Sequence, residues 1–276
     1  MLNTVGLSLD QAPPIGVPFA FFLIAPLFAL VAGGFLLWQG DLILAARWSA
    51  SALAVTHLIA LGFLTQVMCG ALLQMLPVLA GSSVPRVVLV GRVTHVLLIL
   101  GTLSLSAGLL WSGAVWLTLG GALLTASLAI FAAAVAIALA RAQGVKRTVM
   151  AMRLALAALV VTLLLGLMLV AALLGGVNLL EFADWVNLHL AWGLLGWLGM
   201  LIMGVGYQVV PMFHVAPAYP DWLMRWSAPL VAAALALASG LTANGQGLAA
   251  TGAVGLGAVC VAVFAGVTLD RQRRHE

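Results

Sequence analysis

Residues 150–175 read MAMRLALAALVVTLLLGLMLVAALLG, and after Arg153 no charged residue occurs until Glu181. A transmembrane α-helix needs about 20 consecutive apolar residues, so this stretch predicts one. Further apolar runs lie at residues 16–38, 48–79, 87–110, 114–140, 183–211, 223–242 and 247–268. The first of these is predicted to end at the turn-forming residues 39–41, which read Gln-Gly-Asp. The sequence therefore predicts an all-α integral membrane protein with eight transmembrane helices.

The composition of the 276-residue chain supports the same fold class. Hydrophobic residues make up 64% of the chain and charged residues 7%, with a mean hydropathy of +1.22. A soluble domain is about 45–50% apolar and about 25% charged, which excludes a soluble globular enzyme. A membrane β-barrel would show short segments of alternating hydrophobicity, whereas these runs are continuous. We expect a single membrane domain over residues 1–276, in contact with membrane lipid.

The basic residues cluster on one side of the predicted membrane. With eight helices and both termini inside, the cytoplasmic side carries Arg86, Arg92, Arg141, Lys146, Arg147, Arg153, Arg225, Arg271, Arg273 and Arg274. The opposite side carries only Arg47. Because Lys and Arg are in excess in cytoplasmic loops, we expect a multi-pass protein of a bacterial-type inner (cytoplasmic) membrane, with both termini in the cytoplasm. The net charge of +4 then reflects topology, and no nucleic-acid partner is expected.

The sequence contains an internal similarity. Residues 70–77 read GALLQMLP and residues 204–211 read GVGYQVVP, so Gly, Gln and Pro recur at an offset of 134 residues. This offset corresponds to four predicted helices, an even number that preserves orientation. The pattern predicts two parallel four-helix repeats, at approximately 16–141 and 147–270. Chance similarity in Gly- and Leu-rich sequence is the alternative.

Two histidines lie within predicted membrane helices. His57-Leu58 and His189-Leu190 recur at an offset of 132, close to that of the internal similarity. All seven acidic residues lie in predicted loops or at the termini, which argues against a proton-coupled transporter and against most intramembrane hydrolases. Neutral imidazole is a good ligand for haem iron, copper or zinc. We predict that His57 and His189 ligate one haem iron at matched depth; a structural histidine bonded to a carbonyl group is the alternative.

The residues around these histidines suit a flat macrocycle better than a small ion. Gly62, Gly193 and Gly196 remove side-chain volume, and Trp192 can form a wall of the pocket. Close helix packing is the other common role of such glycines. The covalent attachment pattern Cys-x-x-Cys-His is absent from the sequence. We therefore predict a non-covalent haem pocket at these four residues.

A second polar group is predicted toward the inner face. It contains His95, His214, Gln74, Gln208 and Tyr207. These side chains could hold a copper ion, a quinone head group or nothing. Interhelical hydrogen bonding by the glutamines is a complete alternative account.

The histidine-bearing stretches resemble a known group of proteins. Residues 56–65, THLIALGFLT, with Gly70 and Pro77, resemble the haem-ligand helix of haem-copper oxidase subunit I, the catalytic subunit. They are also similar to NnrS-like membrane proteins associated with the response to nitric oxide, as is the stretch 189–214. The resemblance implies haem b, with His57 and His189 at positions that match ligand histidines. The chain has fewer helices than the oxidase subunit and lacks its adjacent His-His copper motif, so a complete oxygen-reducing enzyme is not expected.

Two functions follow from these features. The first is a haem b-binding membrane protein in electron transfer or nitric oxide handling, with quinone, nitric oxide or a redox protein as candidate partners. The second is a small-molecule permease built from two four-helix repeats. The missing intramembrane acids and the paired histidines favour haem, whereas the repeat also suits a permease. The sequence leaves redox enzyme activity and homo-oligomerisation open.

Overall fold

The computed structural model describes residues 12–273, which are helical with no β-strand. The helices are α1 (Gly16–Ala45), α2 (Ala50–Ala80), α3 (Val87–Trp111), α4 (Ala114–Ala140), α5 (Lys146–Leu173), α6 (Phe182–His214), α7 (Asp221–Ala243) and α8 (Gly247–Arg273). Each is long and apolar enough to cross a membrane. The prediction of an all-helical, multi-pass membrane protein is therefore confirmed. The predicted cytoplasmic termini, including Arg274, fall outside the described residues.

The first helix is longer than the sequence indicates. The predicted turn at residues 39–41 does not end α1, which continues to Ala45. Gln39 instead leaves the helical conformation locally, with φ −125° and ψ 26°, and produces a kink. Its side chain accepts a hydrogen bond of 2.7 Å from the Ser51 hydroxyl of α2. A bond between the two helices thus accompanies the kink where the sequence predicted an end.

The chain divides into two compact units. The first comprises residues 12–78 and Ser82–Ala138, and the second comprises Leu79–Gly81 and residues 139–273. Helices α1–α4 belong to the first unit apart from the last residues of α2 and α4, and α5–α8 form the second. The relation of the two units as repeats of one another stays a prediction.

In each unit the histidine-bearing helix packs closely on the first helix of that unit. A Cβ atom on Gly70 of α2 would lie 2.9 Å from Phe21 Cβ of α1. A Cβ atom on Gly204 of α6 would lie 2.9 Å from Ala151 Cβ of α5. Small residues at helix contacts let backbones approach in membranes, where van der Waals packing holds helices together. These contacts fix α2 against α1, and α6 against α5.

Candidate functional site

Both histidine-bearing helices contain a long π-helical segment beside the histidine. The segment Leu58–Thr65 begins directly after His57, and the segment Trp192–Gly199 begins three residues after His189. Each is eight residues long, and their bounds are related by an offset of 134. π-Helical turns are rare, mostly single, and frequent at functional sites. Sequence reasoning missed these segments, although Gly62 and Gly196, one within each, recur at the same offset.

The imidazole of His57 is half-buried and bonded within its own helix. Its Nδ1 lies 2.7 Å from the carbonyl oxygen of Leu53, one turn earlier in α2. A carbonyl oxygen can only accept, so Nδ1 carries the proton and donates. In the neutral ring the lone pair is then on Nε2, the nitrogen that can ligate a metal.

The imidazole of His189 has the same tautomer but a different partner. Its Nδ1 donates to the carbonyl oxygen of Thr162 on the neighbouring helix α5, at 3.0 Å. The ring lies against Gly166 of α5, where a Cβ atom would be 3.1 Å from the imidazole Cε1. The absence of a side chain at Gly166 makes room for the ring. Nε2 of His189 is again the nitrogen with the lone pair.

This hydrogen bonding suits metal ligation and also the structural alternative. Metal-ligating histidines usually donate their second ring nitrogen to a carbonyl or carboxylate, which fixes the tautomer and the ring orientation. A purely structural histidine in a membrane helix also needs a carbonyl partner. The hydrogen bond at Nδ1 of each ring is therefore compatible with ligation of haem iron at Nε2, and binding of one iron by both rings stays a prediction.

The predicted pocket residues contact the helices of their own unit. A Cβ atom on Gly62 would lie 2.8 Å from Phe28 Cβ of α1, and one on Gly196 would lie 2.8 Å from Ala158 Cβ of α5. One on Gly193 would lie 3.4 Å from Thr162 Cγ2. Gly62 and Gly196 thus permit close helix packing, the role that the sequence left as the alternative, whereas a Cβ atom at Gly193 would make an ordinary van der Waals contact. A part in a haem pocket stays a prediction.

Trp192 joins α6 to α7. Its Nε1 donates a hydrogen bond of 3.0 Å to Ser239 Oγ of α7. Its ring packs against a buried apolar cluster that includes Leu188 and Ala238. These contacts hold the indole within the second unit. Its contact with haem stays a prediction.

In the second unit, Gln208 and Tyr207 of the predicted inner polar group form interhelical hydrogen bonds, whereas His214 forms none within residues 12–273. Gln208 Nε2 donates to Thr148 Oγ1 of α5 at 2.8 Å. The Tyr207 hydroxyl is hydrogen-bonded to Ser227 Oγ of α7. His214 is exposed at the end of α6. The interhelical bonding left open by the sequence is thus present for Gln208.

The loop after α6 contains a buried tyrosine, Tyr219, which packs against Tyr207. Tyr219 makes an edge-to-face contact with Tyr207, with ring centroids 5.8 Å apart, and stacks on Phe264 of α8 at 5.5 Å. Its hydroxyl is 2.9 Å from Thr268 Oγ1. Burial raises the pKa of Tyr219 above its ordinary value, while the hydrogen bond to Thr268 acts in the opposite direction. The neutral phenol of Tyr219 therefore anchors this loop.

In the first unit, His95 pairs with a residue that the sequence reasoning missed. Its Nδ1 lies 3.3 Å from Gln66 Oε1, and its ring meets Phe21 edge-on at a centroid distance of 4.9 Å. Gln66 is fully buried in α2, about two helical turns before Gln74. That spacing on one helix face was the available signal.

The first unit also contains buried polar atoms that lack a partner within residues 12–273. They are Gln66 Nε2, Gln74 Oε1, Thr94 Oγ1 and Ser106 Oγ. Buried polar groups normally form hydrogen bonds. Across those residues, no group of three or more His, Cys, Asp or Glu side chains is arranged to hold a metal ion.

Three comparisons with known proteins, covering protein families, curated proteins and solved structures, found no match to this chain.

Proposed function

We propose that the protein binds haem b non-covalently through Nε2 of His57 and of His189, and acts in electron transfer or nitric oxide handling. The hydrogen bonds from Nδ1 to the carbonyl groups of Leu53 and Thr162 are the observation that carries the proposal. In the neutral form of each ring these bonds put the proton on Nδ1 and the lone pair on Nε2, which supports ligation by Nε2. Bound haem would supply a one-electron redox centre or a site for a diatomic gas.

The residues around each ring have defined tasks in this proposal. The carbonyl groups of Leu53 and Thr162 hold the imidazoles in one tautomer and orientation. Gly166 leaves space for the ring of His189.

We also propose that the two units are parallel four-helix repeats. Two eight-residue π-helical segments at an offset of 134 support this relation. Gly62 and Gly70 pack on α1 as Gly196 and Gly204 pack on α5, which is a second, independent correspondence. Residues 56–65 resemble the haem-ligand helix of haem-copper oxidase subunit I, and residues 189–214 are similar to the second histidine-bearing helix of NnrS-like proteins. This resemblance supports a haem role for both copies.

The orientation has both termini in the cytoplasm of a bacterial-type cell. The asymmetry of Arg and Lys between the loops supports it. A reporter fused after Glu276 should be active only in the cytoplasm, as should one inserted between Arg141 and Lys146. Periplasmic activity at either position would contradict the orientation.

A small-molecule permease is the second candidate. The buried polar atoms Gln66 Nε2 and Gln74 Oε1, both within α2 and without a partner in residues 12–273, favour it. Transporters place substrate-binding polar groups near the middle of the bilayer. A copper ion or a quinone at the second polar group stays a prediction.

The absorption spectrum of the detergent-purified protein separates the two functions. Haem binding predicts a Soret band, sharp α and β bands on reduction, and a haem b signature after extraction into alkaline pyridine. The ratio of haem to chain tests whether both histidines serve one iron, for which one haem per chain is expected. A featureless visible spectrum after expression with ample haem would contradict the proposal and leave the permease.

A further inference from the structure

A groove opens in the first unit between the N-terminal parts of α1 and α3. It has a volume of 420 Å³. Its walls are mostly apolar and include Val17 and Ala20 of α1, and Val88 and Val96 of α3. Gly91 of α3 allows the approach of the two helices, because a Cβ atom there would lie 2.5 Å from Val17 Cγ1.

Two polar side chains of α3 line the same groove. Arg92 is exposed, and His95 follows it one turn along the helix, on the same face. Gln66 holds Nδ1 of His95, so the imidazole is fixed beside the groove. Among residues 12–273, no carboxylate side chain lines the groove. Its described walls therefore combine the positive charge of Arg92 with an extended apolar surface.

The position of the groove favours an anion near the membrane surface. Helices α1 and α3 both begin beside it, at Gly16 and Val87, and helix N-termini carry partial positive charge. Arg92 is the sixth residue of α3, about 8 Å along its axis. An arginine at this depth can extend its aliphatic part along apolar surface while its guanidinium reaches the head-group region.

We propose that this groove binds one anionic phospholipid, with its phosphate on Arg92. The guanidinium can form paired hydrogen bonds with phosphate oxygens. The apolar wall, from Val17 and Ala20 to Val96, takes the adjoining acyl chain. Basic pockets between transmembrane helices are recognised sites for anionic head groups, and Arg92 supplies the charge complementarity here.

The test uses the full chain in a non-ionic detergent, with bound lipid counted by native mass spectrometry. Phosphatidylglycerol should bind as one tight molecule per chain, and phosphatidylcholine more weakly. Arg92→Gln should reduce phosphatidylglycerol affinity by about tenfold or more, because it removes charge-assisted hydrogen bonds. Arg86→Gln removes the same charge at an exposed position just before α3 that does not line the groove, and it should have less than a twofold effect.

Two further arms distinguish the lipid from other occupants. Ala20→Phe fills the apolar wall while leaving Arg92 in place, and it should also displace phosphatidylglycerol. Inorganic phosphate should compete only weakly, because it lacks the acyl chain. Equal losses from Arg92→Gln and Arg86→Gln would overturn the proposal, as would unchanged binding in Ala20→Phe. Full displacement by inorganic phosphate would identify a free-anion site and would equally overturn the lipid assignment.

Discussion

The histidine-bearing helices α2 and α6 share an eight-residue π-helical segment but differ in their polar contacts. Each contains an eight-residue π-helical segment, and each places two glycines against the first helix of its unit. His57, however, bonds to a carbonyl group of its own helix, whereas His189 bonds across to α5. The eight-residue segment and the glycine contacts are thus common to both helices, whereas the hydrogen-bond partners differ and α2 alone has a second π-helical segment, Leu76–Ala80.

The histidines themselves occupy positions that are not equivalent. The offset of 132 between His57 and His189 suggested a gap in the internal similarity. The π-helical segments, however, keep the offset of 134 found for the Gly, Gln and Pro residues. When the two helices are aligned at the offset of 134, His57 and His189 lie two positions apart along the helix. The ring of His57 reaches a carbonyl in its own helix, whereas that of His189 reaches a carbonyl on α5.

Overpacking the shared glycines should have the largest effect. Gly62→Leu places a side chain against Phe28, and Gly196→Leu places one against Ala158. Overpacking costs about 1–3 kcal/mol or more, so both variants should lose folded protein in size-exclusion and thermal-melting assays.

Gly240→Leu is the matched control for these variants. No atom lies within 4 Å of a Cβ at Gly240, so its melting temperature should stay close to that of the wild type. Tolerance of leucine at Gly62 and at Gly196 alike would remove the argument for a shared packing plan.

A smaller change tests the interhelical contact of His189. Gly166→Ala brings a methyl group to 3.1 Å from the imidazole Cε1 and should shift the ring away from Thr162. The haem spectrum should change and haem affinity fall several-fold, for a cost of about 1 kcal/mol. Gly33→Ala, in an open position on α1, serves as the control. Identical spectra in both variants would show that the His189 contact does not position a ligand.

Substitution by leucine should change the unfolding free energy differently at Gln208 and at Gln74, the two repeat-related glutamines. Gln208→Leu removes the hydrogen bond to Thr148 and leaves that buried hydroxyl with one partner fewer, which should cost about 1 kcal/mol of unfolding free energy. Gln74 Oε1 is buried without a partner in residues 12–273, so Gln74→Leu should be neutral or stabilising. Reversible unfolding in mixed micelles measures both values. Destabilisation of equal size by Gln74→Leu would mean that Gln74 has a bound partner.

The aromatic cluster at the end of α6 predicts the smallest effect, at alkaline pH. Burial raises the pKa of Tyr219 in the folded state. The neutral phenol therefore stabilises the fold below the unfolded-state pKa of about 10, and this contribution is lost as pH rises through the folded-state pKa. The melting temperature should fall more steeply above about pH 10 in the wild type than in Tyr219→Phe. Parallel pH profiles for the two proteins would exclude this role of Tyr219.

The sequence predicted the membrane helices well because apolar length alone determines a span. It did not predict the π-helical segments, because their sequences, LIALGFLT and WGLLGWLG, are apolar and Gly-containing like the rest of the membrane helices. The pairing of His95 with Gln66 was missed because a single sequence does not reveal which helices are adjacent. The prediction that α1 ends at residues 39–41 was wrong because Gln39 kinks the helix without ending it.

The haem spectra of alanine variants test the central claim most directly. His57→Ala and His189→Ala should each abolish or severely alter the Soret and reduced α bands, because each removes a proposed iron ligand. His95→Ala, which removes an imidazole bonded to Gln66 instead, should leave the bands largely intact. A wild-type haem spectrum that persists unchanged in both His57→Ala and His189→Ala would contradict the assignment.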